Sequence, residues 1–321
     1  MRVVQVTRFG DPDVLVPSEA PEPVAGPGQV VVDVVASGVL FVETQIRRGQ
    51  LGEYFDVTPP YVPGGAVAGT VLSAGPDVPA GWIGRRVVAD TGAAYVERAL
   101  VAVDALIEIP AELDPRQAMA LFPDGITALK LMDGAGIRPG EWVLITASAG
   151  GMGILLIQLA REAGARVVGA ARGEAKLKLT RDFGAEAAVD YTHADWAEQV
   201  RAVTDDQGAD LVFDGVGGQV GADAFGVTAD GGRFSAHGAP SGGFAPIDPA
   251  EADRRGVTVR GIADVQLAPD EAKVLAERAV AAAAEGRITP FLGPSFPLEK
   301  AADAHAAIEA RTVIGKVLLT R

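Results

Sequence analysis

The chain has 321 residues, too many for one ordinary core and enough for two domains or for one inserted into another. Hydrophobic residues make up 48% and charged ones 22%, which excludes disorder, and 42 acidic against 28 basic residues leave a net charge of −14 that argues against a nucleic-acid partner. Cysteine is absent, so disulfides, thiolate nucleophiles and sulfur-ligated zinc sites are excluded, and only His193, His237 and His305 remain as nitrogen ligands. No apolar run approaches the roughly 18 residues of a membrane span, and the opening MRVVQVTRFG lacks a signal-peptide core, so a soluble cytoplasmic protein without a membrane partner is expected.

Residues 1 to 115 hold short Val, Ile and Thr runs broken by Gly and Pro, such as QVVVDVVASG and AVAGTVLSAG, and read as strands and turns. From about Leu113 the pattern changes to amphipathic helices alternating with apolar strands, the signature of βαβ units around a parallel sheet. Six strands are predicted: 142–147, 166–171, 187–191, 210–216, 232–237 and 257–263. A long helix over 270–286 follows, and the tail from 287 returns to strand, helix and strand. The fold class is therefore α/β. A β-rich domain begins at 1–115, a doubly wound domain is inserted over 116–286, and 287–321 rejoins the first domain.

The segment EWVLITASAGGMGILLIQLAREAG runs an apolar strand into a glycine turn and then a helix. On the dinucleotide fingerprint, Ser148, Gly150 and Gly153 fill the three glycine positions, with Gly151 a further residue lacking a Cβ. Such a turn lets the backbone approach a pyrophosphate at the positive end of the helix. Where an NAD enzyme carries a carboxylate at the end of the second strand, this chain reads VVGAARGEAK. Arg172, with Lys176 one turn later, would pair with a 2′-phosphate, which favours NADPH.

With these motifs in view, the chain resembles the zinc-independent quinone oxidoreductase branch of the medium-chain dehydrogenase/reductase superfamily over its whole length. The resemblance rests on ASGVLFVETQIRRGQ, GAGIRPGEWVLITASAGGMG, FDGVGG, GRFSAHG and IGKVLLT. It implies a GroES-like catalytic domain carrying an inserted Rossmann domain, NADPH as cofactor, and a homodimer joined through the sheet-edge strand VTVRGIA. It also implies that Lys176 and Tyr191 contact the 2′-phosphate, that Thr127 lies near the nicotinamide, and that His237 and Gly238 sit on a loop lining the cofactor. Lys316 either approaches the cofactor or faces water.

Zinc relatives polarise their substrate with a metal, whereas here PGGAVAG replaces the segment carrying a His-Glu pair and Leu40 stands where a cysteine would. Quinones and α,β-unsaturated carbonyls, which delocalise the charge that hydride transfer creates, are the expected substrates. Many relatives have an asparagine and a tyrosine where this chain has Leu40 and Gln45, so a bulky apolar enone is an equal candidate. Tyr54 and Phe55 are read either as a pocket wall, with Tyr54 a hydrogen-bond donor, or as core aromatics anchoring a loop. His305 reads as a packing or helix-surface residue and His193 as a turn residue. The main reading is NADPH-dependent hydride transfer to a quinone or enone. The alternatives are a pathway-dedicated enoyl or ketone reductase of polyketide-like substrates and an NADPH-binding protein without turnover.

Overall fold

The computed structural model describes residues 1–52 and 54–321, which form two compact units. The first comprises Met1–Pro123, Ala276–Gly286 and Pro290–Arg321, and the second Asp124–Leu275 with Arg287–Thr289.

The first unit opens on an antiparallel ribbon, β1 (Arg2–Val6) with β2 (Leu15–Glu19). β3 (Gln29–Val39) leads into the helix α1 (Phe41–Arg47), which lies inside a region read from sequence as strands and turns only. β4 (Ala66–Ala74), β5 (Arg86–Asp90), β6 (Arg98–Ala102) and β7 (Ile107–Glu108) follow, then the helix α2 (Pro115–Leu121). Asp114 caps α2 by accepting the Arg116 amide, and Pro115 occupies its first turn, where no amide is needed. Ala118, Met119, Ala120 and Leu121 are buried as α2 packs on β3 and β4. That apolar face places residues 116–123 with the first unit, eight residues beyond the boundary read from composition.

The second unit alternates helix and strand. α3 (Asp124–Ala135), β8 (Trp142–Thr146), α4 (Gly151–Glu162), β9 (Arg166–Ala171) and α5 (Glu174–Asp182) come first. β10 (Ala187–Asp190), α6 (Trp196–Val203), β11 (Ala209–Asp214), α7 (Gly218–Gly226) and β12 (Thr228–Ala236) follow. α8 (Pro249–Arg255), β13 (Thr258–Arg260) and α9 (Pro269–Ala284) close the order, although α9 passes into the first unit at Ala276. The six strands pair in parallel in the order β10-β9-β8-β11-β12-β13. β8 is buried at all five positions, as a central strand covered on both faces must be. Two strands end two or more residues before the position the sequence suggests. β11 stops at Asp214 because Gly217 and Gly218 take positive φ, and the chain after Arg260 tightens into a 3₁₀ turn at Ile262–Val265.

The tail supplies β14 (Leu292–Pro297), α10 (Ala301–Glu309) and β15 (Lys316–Thr320). β15 pairs antiparallel with β3, Leu318 opposite Gly38, in a sheet ordered β14-β15-β3-β4-β5-β7 with β6 also on β3. Valines of β1, β3 and β4 pack with Leu298, Ala301 and Ala304 of the tail in one core. Among the described residues, no helix is long and apolar enough to cross a membrane.

Candidate active site

The strand order reverses at β8, whose neighbours are β9 on one side and β11 on the other, and ligands of open α/β sheets bind at the carboxyl ends flanking such a switch point. At the end of β8, Ala147 takes φ +52°, and the chain turns through Ser148 and Ala149 to Gly150, the residue before α4. No side chain caps that helix, so its first amides are open to a ligand. A Cβ on Gly153 would lie 2.5 Å from the Ala147 carbonyl oxygen and 2.8 Å from the Ser148 Cα, so this glycine closes the turn on itself. A Cβ on Gly150 would meet only the Ala147 oxygen, at 3.2 Å, and would otherwise fill open space. That space is what a pyrophosphate needs, and Gly151 begins the helix beside it. Ser148 is different. Its side chain is fully buried and its hydroxyl shares a 2.9 Å hydrogen bond with Thr180, so its hydroxyl is committed to the fold.

The second cluster forms where β9 and β10 end side by side, Ala171 opposite Asp190. Arg172 is exposed, Lys176 is half-buried on the first turn of α5, and Tyr191 is half-buried against the core of the second unit. Sequence reasoning missed Asp190, which accepts the Gly173 amide at 2.8 Å and both the amide and hydroxyl of Thr192. Burial alone would raise its carboxyl, but the hydrogen bonds from Thr192 and Gly173 outweigh it and hold the group below its ordinary value. It is thus an anionic strut that shapes the turn presenting Arg172. His193, three residues after Asp190, is exposed.

A third cluster ties the ends of β8, β11 and β12. Asp214 is buried and accepts the Thr146 hydroxyl at 2.8 Å and the amides of Val216 and Gly217, while the Gly215 amide donates to Thr146. Burial raises the Asp214 carboxyl against those bonds. The motif FDGVGG held this residue, but only its contacts across 68 positions reveal what it does. The amides of His237 and Gly238 donate to the Asp214 carbonyl, and a Cβ on Gly238 would lie 2.1 Å from the Gly215 backbone, so the two strand-end loops touch. The His237 ring is buried beside Phe213, with Nδ1 3.2 Å from the Ser235 hydroxyl, and burial pushes its pKa down to about 4. It is a neutral imidazole at neutral pH. Thr127 lies half-buried in the first turn of α3.

In the first unit, Leu40 precedes α1 and Gln45 lies on it, both half-buried. Tyr54 and Phe55 are 70% and 42% exposed, which removes the reading of both as core aromatics. Lys316 is 3% exposed, with its Cε 3.3 Å from where a Cβ on Gly38 would stand, so it does not face water and lies beside the segment that ends at Leu40. His305 is a fully buried residue of α10, its Nε2 2.8 Å from the Tyr95 hydroxyl, and burial drives its pKa down to about 3. Among the described residues, no group of three His, Asp or Glu side chains is arranged to hold a metal ion.

Two family descriptions match the chain: an alcohol dehydrogenase GroES-like domain over residues 26–108 and a zinc-binding dehydrogenase domain over residues 151–280. The quinone oxidoreductase of Sus scrofa is 31% identical over 99% of this chain and 97% of its own length. The 2-haloacrylate reductase of a Burkholderia species is also 31% identical, over 98% and 97%. A mycobacterial protein solved in complex with NADPH superposes with a TM-score of 0.90 at 32% identity, covering all of both chains. With this likeness spanning both units, the chain belongs to the quinone oxidoreductase branch of the medium-chain dehydrogenase/reductase superfamily.

Proposed function

We propose that this protein is an NADPH-dependent reductase that delivers hydride to a quinone or an α,β-unsaturated carbonyl without a metal. The observation that carries the reading is the pairing of an open, uncapped glycine turn with an exposed Arg172 at the end of β9, where a carboxylate would instead select NAD. We assign the pyrophosphate to the open space beside Gly150 and to the amides at Gly151 and Gly153, with Ser148 contributing backbone shape rather than its hydroxyl. Arg172, Lys176 and Tyr191 hold the 2′-phosphate. Thr127, His237 and Gly238 belong to the nicotinamide end, where the Asp214 hub fixes the loops that carry the last two. When bound, NADPH supplies the hydride from its nicotinamide ring.

The chain's own part is to bind, orient and exclude water. His237, neutral at neutral pH, is not an acid at the nicotinamide end, and we assign protonation of the reduced product to solvent. On the acceptor side we assign Leu40, Gln45 and Tyr54, with Lys316 buried beside Gly38. The apolar Leu40 favours an acceptor with an apolar body. The curated relatives named quinone oxidoreductase and 2-haloacrylate reductase support the two acceptor classes. β13, all three of whose residues are exposed, is the edge we assign to a homodimer, and light scattering after size exclusion tests it.

The deciding experiment follows loss of reduced-nicotinamide absorbance with a benzoquinone, a naphthoquinone, a linear enone, a cyclic enone and a simple ketone, each with NADPH and with NADH. Turnover of quinones or enones with NADPH supports the reading. A preference for NADH, or turnover of the simple ketone alone, defeats it.

A further inference from the structure

A buried carboxylate in the first unit has no part in the assignment above. Glu43, in the first turn of α1, is 7% exposed. One of its oxygens accepts the Leu40 amide at 2.9 Å and the Tyr95 hydroxyl at 2.8 Å, and the other accepts the Gly65 amide at 3.2 Å. Three donors thus converge on one side chain. Two are backbone amides from segments 22 or more residues apart: the start of the helix that carries Leu40 and Gln45, and the turn PGGAVAG.

The third donor is itself held. The fully buried Tyr95 hydroxyl lies 2.8 Å from His305 Nε2, and the two rings meet edge to face at 87°. With the Tyr95 proton directed to Glu43, Nε2 carries the proton given to Tyr95, and the unpartnered Nδ1 keeps its lone pair. The turn at Gly64 is fitted to the same ring. A Cβ there would stand 2.6 Å from the Tyr95 ring, and Gly64 holds φ +98°. The chain from Thr91 to Tyr95 then returns amides to the carbonyls of Pro63, Gly64 and Gly65.

A carboxylate in this position is an expensive way to stabilise a core. Desolvation opposes it, and apolar residues of similar volume would fold as well or better. What the carboxylate supplies is position: two acceptor oxygens hold two loops at a fixed separation. Resting on the reductase reading, we propose that Glu43 is a positioning residue that sets the acceptor-binding segment of this enzyme by clamping the amides of Leu40 and Gly65, with Tyr95 and His305 as its buttress. The clamp therefore governs acceptor affinity and leaves NADPH affinity alone.

Glu43→Gln tests it sharply, because an amide has one acceptor oxygen and must turn its NH₂ on at least one of the three donors. Expected for the full-length variant is an NADPH Kd within about twofold of wild type and an acceptor KM raised about tenfold, kcat changing less. Hydrogen exchange should rise in the peptides holding Leu40 and Gly65. Glu43→Asp, which keeps both oxygens, should recover part of the loss. Val101→Ala, a cavity in the same core far along the chain from both amides, should lower the melting temperature while leaving KM and the exchange of those two peptides as in wild type. An unchanged KM and unchanged exchange in Glu43→Gln overturn the proposal, as does an equal rise in KM in Val101→Ala. A wild-type protein that binds NADPH but reduces no acceptor overturns the reductase reading instead. The clamp is then judged by exchange alone, and unchanged exchange overturns it too.

Discussion

Both units bury polar side chains, but they connect them differently. In the second unit, buried Asp214 and half-buried Asp190 sit at strand ends and bond to nearby backbone: Asp214 takes amides two and three residues ahead, and Asp190 takes the amide two ahead. In the first unit, Glu43, Tyr95 and His305 come from an early helix, a loop and the C-terminal helix, with 210 positions between the last two. Arg47 is fully buried and paired with Glu309, across 262 positions. A strand-end hub takes most of its donors from a short motif and shapes the backbone of the loops around it. A long-range network is written nowhere locally, and it holds loops whose positions depend on the whole unit. Removing a backbone feature from the second unit should therefore cost ligand binding, whereas disturbing the network in the first should cost loop placement and stability.

The largest expected effect is at Gly153. Valine there would force its Cβ into the Ala147 and Ser148 backbone and reshape the turn, so Gly153→Val should weaken NADPH binding by more than about 100-fold in a calorimetric titration. Near-normal affinity would show that the turn is structural only. Arg172→Glu comes next, trading attraction for repulsion. It should raise the Kd for NADPH on the order of 100-fold while changing that for NADH by about twofold or less. An equal change for both would move the 2′-phosphate elsewhere.

The third effect sets the two units side by side through pH. His237 and His305 have folded pKa values of about 4 and about 3, below the ordinary 6.5. Between these limits the unfolded chain binds protons that the folded chain refuses, so stability is intact above about pH 6.5 and falls as pH drops towards 4 and then 3. The loss is on the order of a few kcal/mol per histidine. Glu43 and Asp214, raised by burial, act in the opposite sense over part of this range, so the informative quantity is a difference between variants. His237→Asn and His305→Gln should each flatten the acid limb of the melting temperature relative to wild type, and a limb of unchanged slope in both would mean that neither ring is held neutral. The smallest effect belongs to the surface. Lys178→Ala removes an exposed pair with Asp182 and should shift the melting temperature by less than about 2 °C; a larger drop would mean that solvent-facing pairs contribute where the buried networks were thought to dominate.

Legibility followed the same division. The glycine turn, the six strands and the clustering of Arg172, Lys176 and Tyr191 were readable because each depends on residues close in sequence or on the fixed geometry of βαβ units. Ser148 could be placed on the glycine fingerprint, but nothing before the fold shows that Thr180 stands 2.9 Å from its hydroxyl. His305 was open between core and surface, since a helix rich in alanine offers little contrast between its faces. Asp190 and Glu43 escaped notice because a carboxylate in a turn or a helix start looks solvated until its donors are in place.

The order of local preferences along the chain determined the α/β class, the parallel sheet and the place of the glycine turn, since hydrophobic period and glycine spacing act over a few residues. Only the tertiary structure decided that residues 116–123 pack with the first unit, that Lys316 is buried beside Gly38, and that Glu43 receives donors from Leu40, Gly65 and Tyr95. Those outcomes depend on which distant segments meet, and burial then fixes the hydrogen-bond partner and the proton that each polar group keeps.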